Sequence, residues 1–170
     1  MKVLTLACTL VMLSQNPLGD WTRYVFEDYG FRIEGSQEFV RTDYEADEHG
    51  VRTIAYTENY KGADVVSYVS MYQLGAYRDV PQGKERAEIL ETALEDLAAS
   101  LRHEVIYDNV LHLTTHDEIR FRSNSISSGK ALKGRFVLYK DRMYLIAMSY
   151  VPSARLNKRS NYFIESFQLL

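Results

Sequence analysis

The sequence predicts an α+β domain built around a mostly antiparallel sheet. Runs rich in β-branched and aromatic residues recur along the chain and are separated by short polar turns. Only one long stretch repeats its apolar residues at clear helical spacing. No low-complexity tract, internal repeat or Pro/Gly/Ser-rich linker interrupts the 170 residues, so we expect one continuous domain.

The start of the chain has the pattern of an export signal. Lys2 supplies a positive charge, Val3–Leu13 is mainly apolar, and the next residues are polar. The apolar run is too short for a transmembrane helix, which needs about 20 apolar residues. We therefore predict a signal peptide over residues 1–16, with an uncertain cleavage point, and a single domain over 17–170. A retained anchor and a buried first strand are the alternatives.

Three strand regions are predicted in the first half of the domain. Trp21–Ile33 contains a turn at Tyr29-Gly30 that leads into a strand, and Val51–Thr57 and Ala63–Leu74 form a hairpin across a Gly-containing connection. The last of these strands is apolar on both faces, which is typical of a central strand. Its alternating residues are Val65, Val69 and Met71 on one face and Val66, Tyr68, Tyr72 and Leu74 on the other.

The clearest helix is predicted over Lys84–Arg102. Its apolar residues fall three or four positions apart and form one buried stripe. Acidic residues lie on the opposite face, which we interpret as solvated surface rather than as a metal or partner site. The stripe consists of Ala87, Leu90, Leu94, Leu97 and Leu101, and the acidic face of Glu85, Glu88, Glu91, Glu95 and Asp96.

The second half reads as further strands and a closing helix. Val105–Leu113 is predicted as a strand interrupted at Asp108-Asn109, and Glu118–Arg122 alternates polar with apolar residues. Leu132–Tyr150 is predicted as a long hairpin that turns near Lys140-Asp141-Arg142, so the sheet is mostly antiparallel. Asn157–Phe167 is predicted as the last helix.

The order of these features resembles the PsbP/Mog1-like proteins. They are Trp21, the step Tyr29-Gly30-Phe31, the tyrosine-rich hairpin, one amphipathic helix, a strand pair that includes Tyr144, and a closing Phe163–Phe167 segment. The resemblance implies a three-layer α-β-α sandwich with a central antiparallel sheet. It also implies a binding or accessory role, as in the extrinsic photosystem II subunit, a Ran-binding nuclear protein, exported DcrB-like bacterial proteins and adaptor chaperones of secreted toxins. The leader fits the exported bacterial branch best.

Composition narrows the function further. Cys8 is the only cysteine and lies in the leader, so the mature domain is predicted to lack disulfides and thiolate metal sites. Removing Lys2 from the 20 Lys plus Arg leaves 19 against 23 Asp plus Glu, which changes the net charge from −3 to −4. This acidic balance argues against non-specific nucleic-acid binding.

Basic residues alternate in two of the predicted strands. Arg120 and Arg122 lie two apart, as do Lys133 and Arg135, so pairing of these strands would gather four cations on one sheet face. Such a patch would receive a phosphate, a carboxylate or an acidic protein. The alternative is that these charges serve only solubility. We take these four residues as the candidate binding face.

Two segments resemble weak metal sites. His112 and His116 are four apart, and on a strand they would lie about 13 Å from each other, so they could share an ion only across a turn. The acidic run Asp43–His49 could attract a divalent cation, although its spacing matches no known calcium loop. Both are interpreted as ordinary surface turns, and no metal site or cofactor is predicted.

Two functions from different classes remain. The favoured one is an exported, non-enzymatic accessory or binding protein, periplasmic or extracellular, that acts on another protein or envelope component. The alternative is a small metal-dependent or hydrolytic enzyme whose site is built from scattered Asp, Glu, His and Tyr residues. An enzyme needs a concave site with two or more converging ionisable groups, whereas a binding protein needs an exposed aromatic or basic surface.

Overall fold

A computed structural model of the chain describes residues 21–36, 39–44, 52–59, 65–74 and 84–170. Strands and two α-helices follow one another within these residues, and Glu27–Tyr29 adds one turn of 3₁₀ helix. In chain order the elements are β1 (Thr22–Phe26), β2 (Phe31–Gly35), β3 (Val40–Tyr44), β4 (Arg52–Asn59), β5 (Val66–Gln73), α1 (Lys84–Leu101), β6 (His103–His112), β7 (Asp117–Ser125), β8 (Ala131–Tyr139), β9 (Arg142–Tyr150), α2 (Ala154–Ser166) and β10 (Gln168–Leu169).

Seven of these strands form one antiparallel sheet. Their order is β3-β4-β5-β9-β8-β7-β6, so β3 and β6 are its edge strands within the described residues. The strand β5 lies inside the sheet between β4 and β9, as its two apolar faces predict. The hairpin β8–β9 turns at Lys140-Asp141, also as predicted.

The two faces of this sheet support separate apolar clusters, because successive side chains on a strand point to opposite sides. On β9, Met143, Leu145 and Ala147 belong to the cluster beneath α1. The alternate residues Tyr144, Ile146, Met148 and Tyr150 belong to the cluster that includes α2. The fold is therefore an α+β arrangement of one antiparallel sheet and two helices, with a helix associated with each cluster.

A smaller antiparallel sheet, in the order β1-β2-β10, joins the α2 cluster. Tyr144 ties this small sheet to the main one, because its hydroxyl donates a 2.8 Å hydrogen bond to the carbonyl of Tyr29. Gly30 follows with φ +71, and an added Cβ would lie 3.6 Å from the hydroxyl of Tyr144. The left-handed backbone and the close approach both favour glycine at this turn.

Local sequence accounts for both helices. In α1 Leu90 and Leu94 are buried, and all five residues of the predicted acidic face are exposed. The prediction that Leu101 belongs to the buried stripe is wrong, because this last residue of the helix is 45% exposed. The helix α2 begins at Ala154, three residues before its predicted start, because the hydroxyl of Ser153 accepts a hydrogen bond from the backbone N–H of Leu156 and caps it. Burial of an aromatic side chain such as Phe163 from α2 contributes about 1.5–3 kcal/mol to folding.

One strand differs from its prediction, and two predictions lie outside the described residues. The polar pair Asp108-Asn109 does not interrupt β6, since both residues stay in register with β7. The irregularity is instead a bulge between Val105 and Tyr107. Residues 1–20, which include the predicted leader, are outside the described range, as is most of the acidic run from residue 45 onward.

Candidate functional site

Strand register brings the four predicted basic residues together. Arg120 lies opposite Arg135, and Arg122 lies opposite Lys133, in the pairing of β7 with β8. All four lie on the α2 side of the sheet, because the same rows continue to Ile146 and Met148 of the α2 cluster. The geometry on which the sequence hypothesis depended is thus present, while binding by these residues stays a prediction.

Two of the four cations are neutralised within the protein. The carboxylate of Glu118 is fully buried and accepts hydrogen bonds from Arg120 Nε at 2.7 Å and from Arg135 Nη1 at 2.9 Å. Arg120 also pairs with Glu165 at 2.7 Å, and Arg135 donates to the carbonyl of Phe167 at 2.9 Å. Arg135 is itself only 7% exposed, so it belongs to the structure beneath the face.

This ion network keeps Glu118 charged. Burial alone would raise the pKa of the Glu118 carboxyl, but the hydrogen bond from Arg120 and the charge of Arg135 outweigh it and hold the pKa below its usual value. The guanidinium of Arg120 responds in the opposite direction, since its hydrogen bond to Glu118 raises its pKa. A charged Glu118 therefore neutralises part of the cationic pair that adjoins it.

The other two cations have no carboxylate within ion-pair distance in the described part of the chain. The Nε atom of Arg122 is buried and has no hydrogen-bond acceptor among the described residues. Lys133 donates a hydrogen bond to the side-chain oxygen of Asn161 on α2. Burial lowers the pKa of Lys133, and the positive charge of Arg122 lowers it further, with Glu165 offsetting part of the effect. These two residues form a positive centre.

A tyrosine extends this centre into a row across three strands. Tyr107 of β6 lies opposite Arg122, which lies opposite Lys133, and we call these three residues the basic row. The bulge in β6 is responsible. Val105 faces α1, and in a regular strand Tyr107, two residues later, would also face α1. The extra residue Ile106 at the bulge reverses this alternation, so Tyr107 faces the α2 side.

The basic row lines a groove between β6 and α2. Its volume is about 440 Å³, and its lining includes Ile106, Ile164 and Glu165 besides the row. This volume falls within the range of ligand sites in proteins, about 300–1,000 Å³. Guanidinium and ammonium donors beside the apolar side chains of this groove suit a carboxylate or phosphoryl oxygen, which accepts charge-assisted hydrogen bonds.

A second groove of similar volume, about 440 Å³, lies on the other side of α2, but its charges are more nearly balanced. Arg23 pairs with Glu34 at 3.2 Å, and Arg32 donates a 2.8 Å hydrogen bond to Gln168. A hydrogen bond from Tyr162 is the main reason that the pKa of Glu34 is lowered. We therefore regard the groove with the basic row as the candidate functional site.

The predicted histidine pair does not converge on one point. His112 Nδ1 lies 2.7 Å from a carboxylate oxygen of Asp117, whereas His116 Nε2 lies 3.5 Å from Glu118. Because Asp117 and Glu118 are consecutive on β7, their side chains face opposite sides of the sheet. Within the described ranges, no group of three or more His, Cys, Asp or Glu side chains is placed to hold a metal ion.

Sequence reasoning missed Tyr107, Asn161 and Glu118 as parts of this site. Tyr107 depends on a bulge, and Asn161 reaches the face only when α2 packs over β8. Glu118 resembled an ordinary polar position in an alternating strand. Its spacing from Arg120, two residues along a strand, was the one available signal, since such residues share a face.

Across the described residues, no helix is long and apolar enough to cross a membrane. Comparison with family models finds no match to the sequence, and comparison with curated proteins finds none either. Among solved structures, the chain is similar to cyanobacterial PsbP (CyanoP) from Synechocystis sp. PCC 6803, determined in solution. The two share 9% sequence identity with a TM-score of 0.64, and the match covers 88% of this chain and 92% of that one. The chain therefore has a PsbP-like fold.

Proposed function

We propose that the protein is an exported, non-enzymatic accessory protein that binds an acidic segment of another protein in the groove of the basic row. Its domain, residues 17–170, would be a three-layer α-β-α sandwich of the PsbP/Mog1-like, DcrB-like kind, released from a signal peptide over residues 1–16. The fold likeness to PsbP supports an accessory role, because the PsbP/Mog1-like resemblance implies binding proteins rather than enzymes.

One observation carries the binding function. The chain neutralises Arg120 and Arg135 with Glu118 and Glu165 but leaves Arg122 and Lys133 without a carboxylate in ion-pair distance among the described residues. Lys133 and Arg122 are adjacent, partly buried cations, and the pKa of Lys133 is lowered mainly by burial and further by the positive charge of Arg122. A carboxylate in the groove would offset the repulsion between these two cations.

A protein carboxylate fits the surroundings of these cations. Ile106, Tyr107 and Ile164 line the same groove, so a ligand there contacts apolar and aromatic surface as well as charge. Tyrosine and arginine are among the residues that contribute most to protein–protein interfaces. A peptide offers both carboxylates and apolar side chains, whereas a small inorganic anion offers only the charge.

The test is a pull-down from an envelope extract of the source organism. The protein is expressed with its first sixteen residues so that natural processing can occur, and three forms are compared: wild type, Arg122→Gln/Lys133→Gln, and Arg155→Gln/Lys158→Gln. The last is a matched control, because it removes the same charge from two exposed residues of α2. Retained proteins are quantified by mass spectrometry, and circular dichroism checks that all three forms fold.

We expect a protein with an acidic segment to be retained by the wild type and the control and to be reduced at least tenfold with the Arg122/Lys133 variant. Raising the salt concentration should release it, since the contact depends on charge. Equal retention by all three forms, or no specific retention by any, would contradict the proposed function.

A further inference from the structure

The strand β6 ends the seven-stranded sheet next to the groove. It pairs with β7 on one side, and no strand among the described residues pairs with its other side. The bulge near Ile106 disturbs its first half, but Tyr107–His112 runs in regular register with β7. An edge of this kind offers backbone N–H and C=O groups to another strand.

Apolar side chains are concentrated at this edge. Five of the nine large apolar side chains that are exposed among the described residues lie on β6 or beside it. Ile106 is 54% exposed and Tyr107 is 56% exposed, although both border the groove. Neighbouring exposed apolar residues, such as Ile106 and Tyr107, often mark an interaction surface. The five are Leu101, Ile106, Tyr107, Leu113 and Ile126.

We propose that the acidic partner segment binds as an added β-strand along Tyr107–His112, with acidic side chains at alternate positions that face the basic row. Strand addition of this kind rests on the proposed function, because it takes its charge requirement from Arg122 and Lys133. It goes further by fixing the conformation of the partner segment, its length of about five or six residues and the spacing of its acidic positions.

The dimensions of a sheet permit this contact. An added strand lies about 4.8 Å outside β6, so its backbone is about 10 Å from that of β7. A glutamate beside Tyr107 and the long side chain of Arg122 can together span this separation across the tyrosine ring. Lys133 is one strand farther away, about 14 Å from the added strand, and acts through its charge.

The α1-facing side of β6 indicates which positions of the partner segment should not be acidic. On the α1 side of the sheet, Asp108 lies opposite Phe121, Val110 opposite Ile119 and His112 opposite Asp117. A ligand carboxylate on that side would meet the carboxylate of Asp108, which carries the same charge. The partner segment should therefore alternate acidic residues with non-acidic ones rather than carry a continuous acidic run.

A second copy of this chain fits the edge less well. If two β6 strands paired antiparallel in one continuous sheet, the α2 side of each would receive Tyr107, Asn109 and Leu111 from the other, because paired residues share a face. None of these side chains carries a negative charge. Arg122 and Lys133 would stay uncompensated, so charge complementarity favours an acidic partner.

The test begins with a displayed library of random eight-residue peptides selected on the purified full-length protein. We expect the enriched peptides to carry Asp or Glu at every second position with β-branched or aromatic residues between them. The most enriched peptide is then synthesised in four forms: unmodified, with its acidic residues changed to Gln or Asn, and in two N-methylated forms, each carrying N-methyl groups on one of the two sets of alternate backbone amides. Binding is measured by fluorescence anisotropy, and amide hydrogen exchange of Tyr107–His112 is measured by NMR.

Strand addition predicts at least a tenfold weaker affinity for the peptide without acidic residues. It predicts the same loss for only one of the two N-methylated peptides, because only one set of alternate amides faces β6. It also predicts slower exchange in β6 on binding. Charge-dependent binding that tolerates both N-methyl registers and leaves exchange in β6 unchanged would overturn strand addition while supporting the proposed function. Failure of the library to yield acidic peptides would overturn both, and a dimer with protected β6 amides would assign the edge to a second copy.

Discussion

Replacing Glu118 by glutamine tests whether the buried ion network stabilises the face beneath the basic row. Glu118 is 0% exposed and bridges two cations, Arg120 Nε at 2.7 Å and Arg135 Nη1 at 2.9 Å. The side chain of Arg135 is 9% exposed, so its charge cannot turn into solvent when the carboxylate is removed. The variant therefore leaves a buried guanidinium without its counter-charge.

The expected loss of stability depends on which interactions remain in Glu118→Gln. Removal of one partner from a buried ion pair costs about 3–5 kcal/mol. Glutamine retains the shape and one acceptor, Arg135 retains its 2.9 Å bond to the carbonyl of Phe167, and Arg120 retains Glu165 at 2.7 Å. We therefore expect the lower end of that range, a decrease of about 3 kcal/mol in the free energy of unfolding. For a chain of this size that corresponds to a fall of about 6–12 °C in Tm.

Urea unfolding followed by circular dichroism measures this difference, with Glu165→Gln as the matched control. The carboxylate of Glu165 is 54% exposed, and exposed ion pairs contribute less than about 1 kcal/mol. The control should therefore be almost as stable as the wild type. A loss below about 1 kcal/mol for Glu118→Gln, or an equal loss in both variants, would refute a stabilising role for the buried network.

The pH dependence provides an independent check of the same residue. The pKa of Glu118 in the folded protein lies below its usual value of 4.5. A carboxyl with a lowered pKa contributes stability that is present above the unfolded value and is lost as the pH falls through the folded value. The stability difference between wild type and Glu118→Gln should therefore narrow below pH 4.5. A difference that stays constant down to the folded pKa would contradict this assignment.

Three further substitutions test the packing around the site. Gly134→Ala should lower the free energy of unfolding by about 1–3 kcal/mol in urea unfolding, because an added Cβ would lie 2.6 Å from the carbonyl oxygen of Ile146, a backbone atom that cannot swing away. Tyr144→Phe should cost about 1–2 kcal/mol in the same assay, since it leaves the carbonyl of Tyr29 without its 2.8 Å donor, and a neutral effect would contradict this anchor. Lys133→Met should raise Tm at low salt by removing a cation that Arg122 repels, and the gain should shrink at high salt; a lower Tm would show that the bond to Asn161 outweighs the repulsion.

Much of the fold was predictable because its local signals agree with its tertiary environment. The apolar stripe of Lys84–Leu101 and the two apolar faces of β5 both report burial, and the structure has α1 over the sheet and β5 inside it. The pairing of Arg120 and Arg122 with Arg135 and Lys133 was also foreseeable, since residues two apart on paired strands share a face.

The sequence could not predict which cations of the site are buried and neutralised and which stay without a carboxylate, because this depends on strand register and on packing between distant segments. Arg135 looked as accessible as Lys133, yet the segment after α2 covers it and supplies the carbonyl of Phe167. Tyr107 joins the row only through the bulge at Ile106, and nothing in the sequence marks that position. The strand β10 has two residues, too few for a hydrophobic period to be recognised.

These observations connect the stability of the sheet to its proposed use. Glu118 and Glu165 neutralise Arg120 and Arg135, and this permits a dense cluster of cations to exist on one face of a packed sheet. Arg122 and Lys133 form the other pair of this cluster on the same two strands, and burial together with the charge of Arg122 lowers the pKa of Lys133. A bound acidic ligand would offset the repulsion between these two cations, and this would contribute to its binding energy. In our proposal the buried network therefore stabilises the sheet, whereas Arg122 and Lys133 are the charges that a partner would contact.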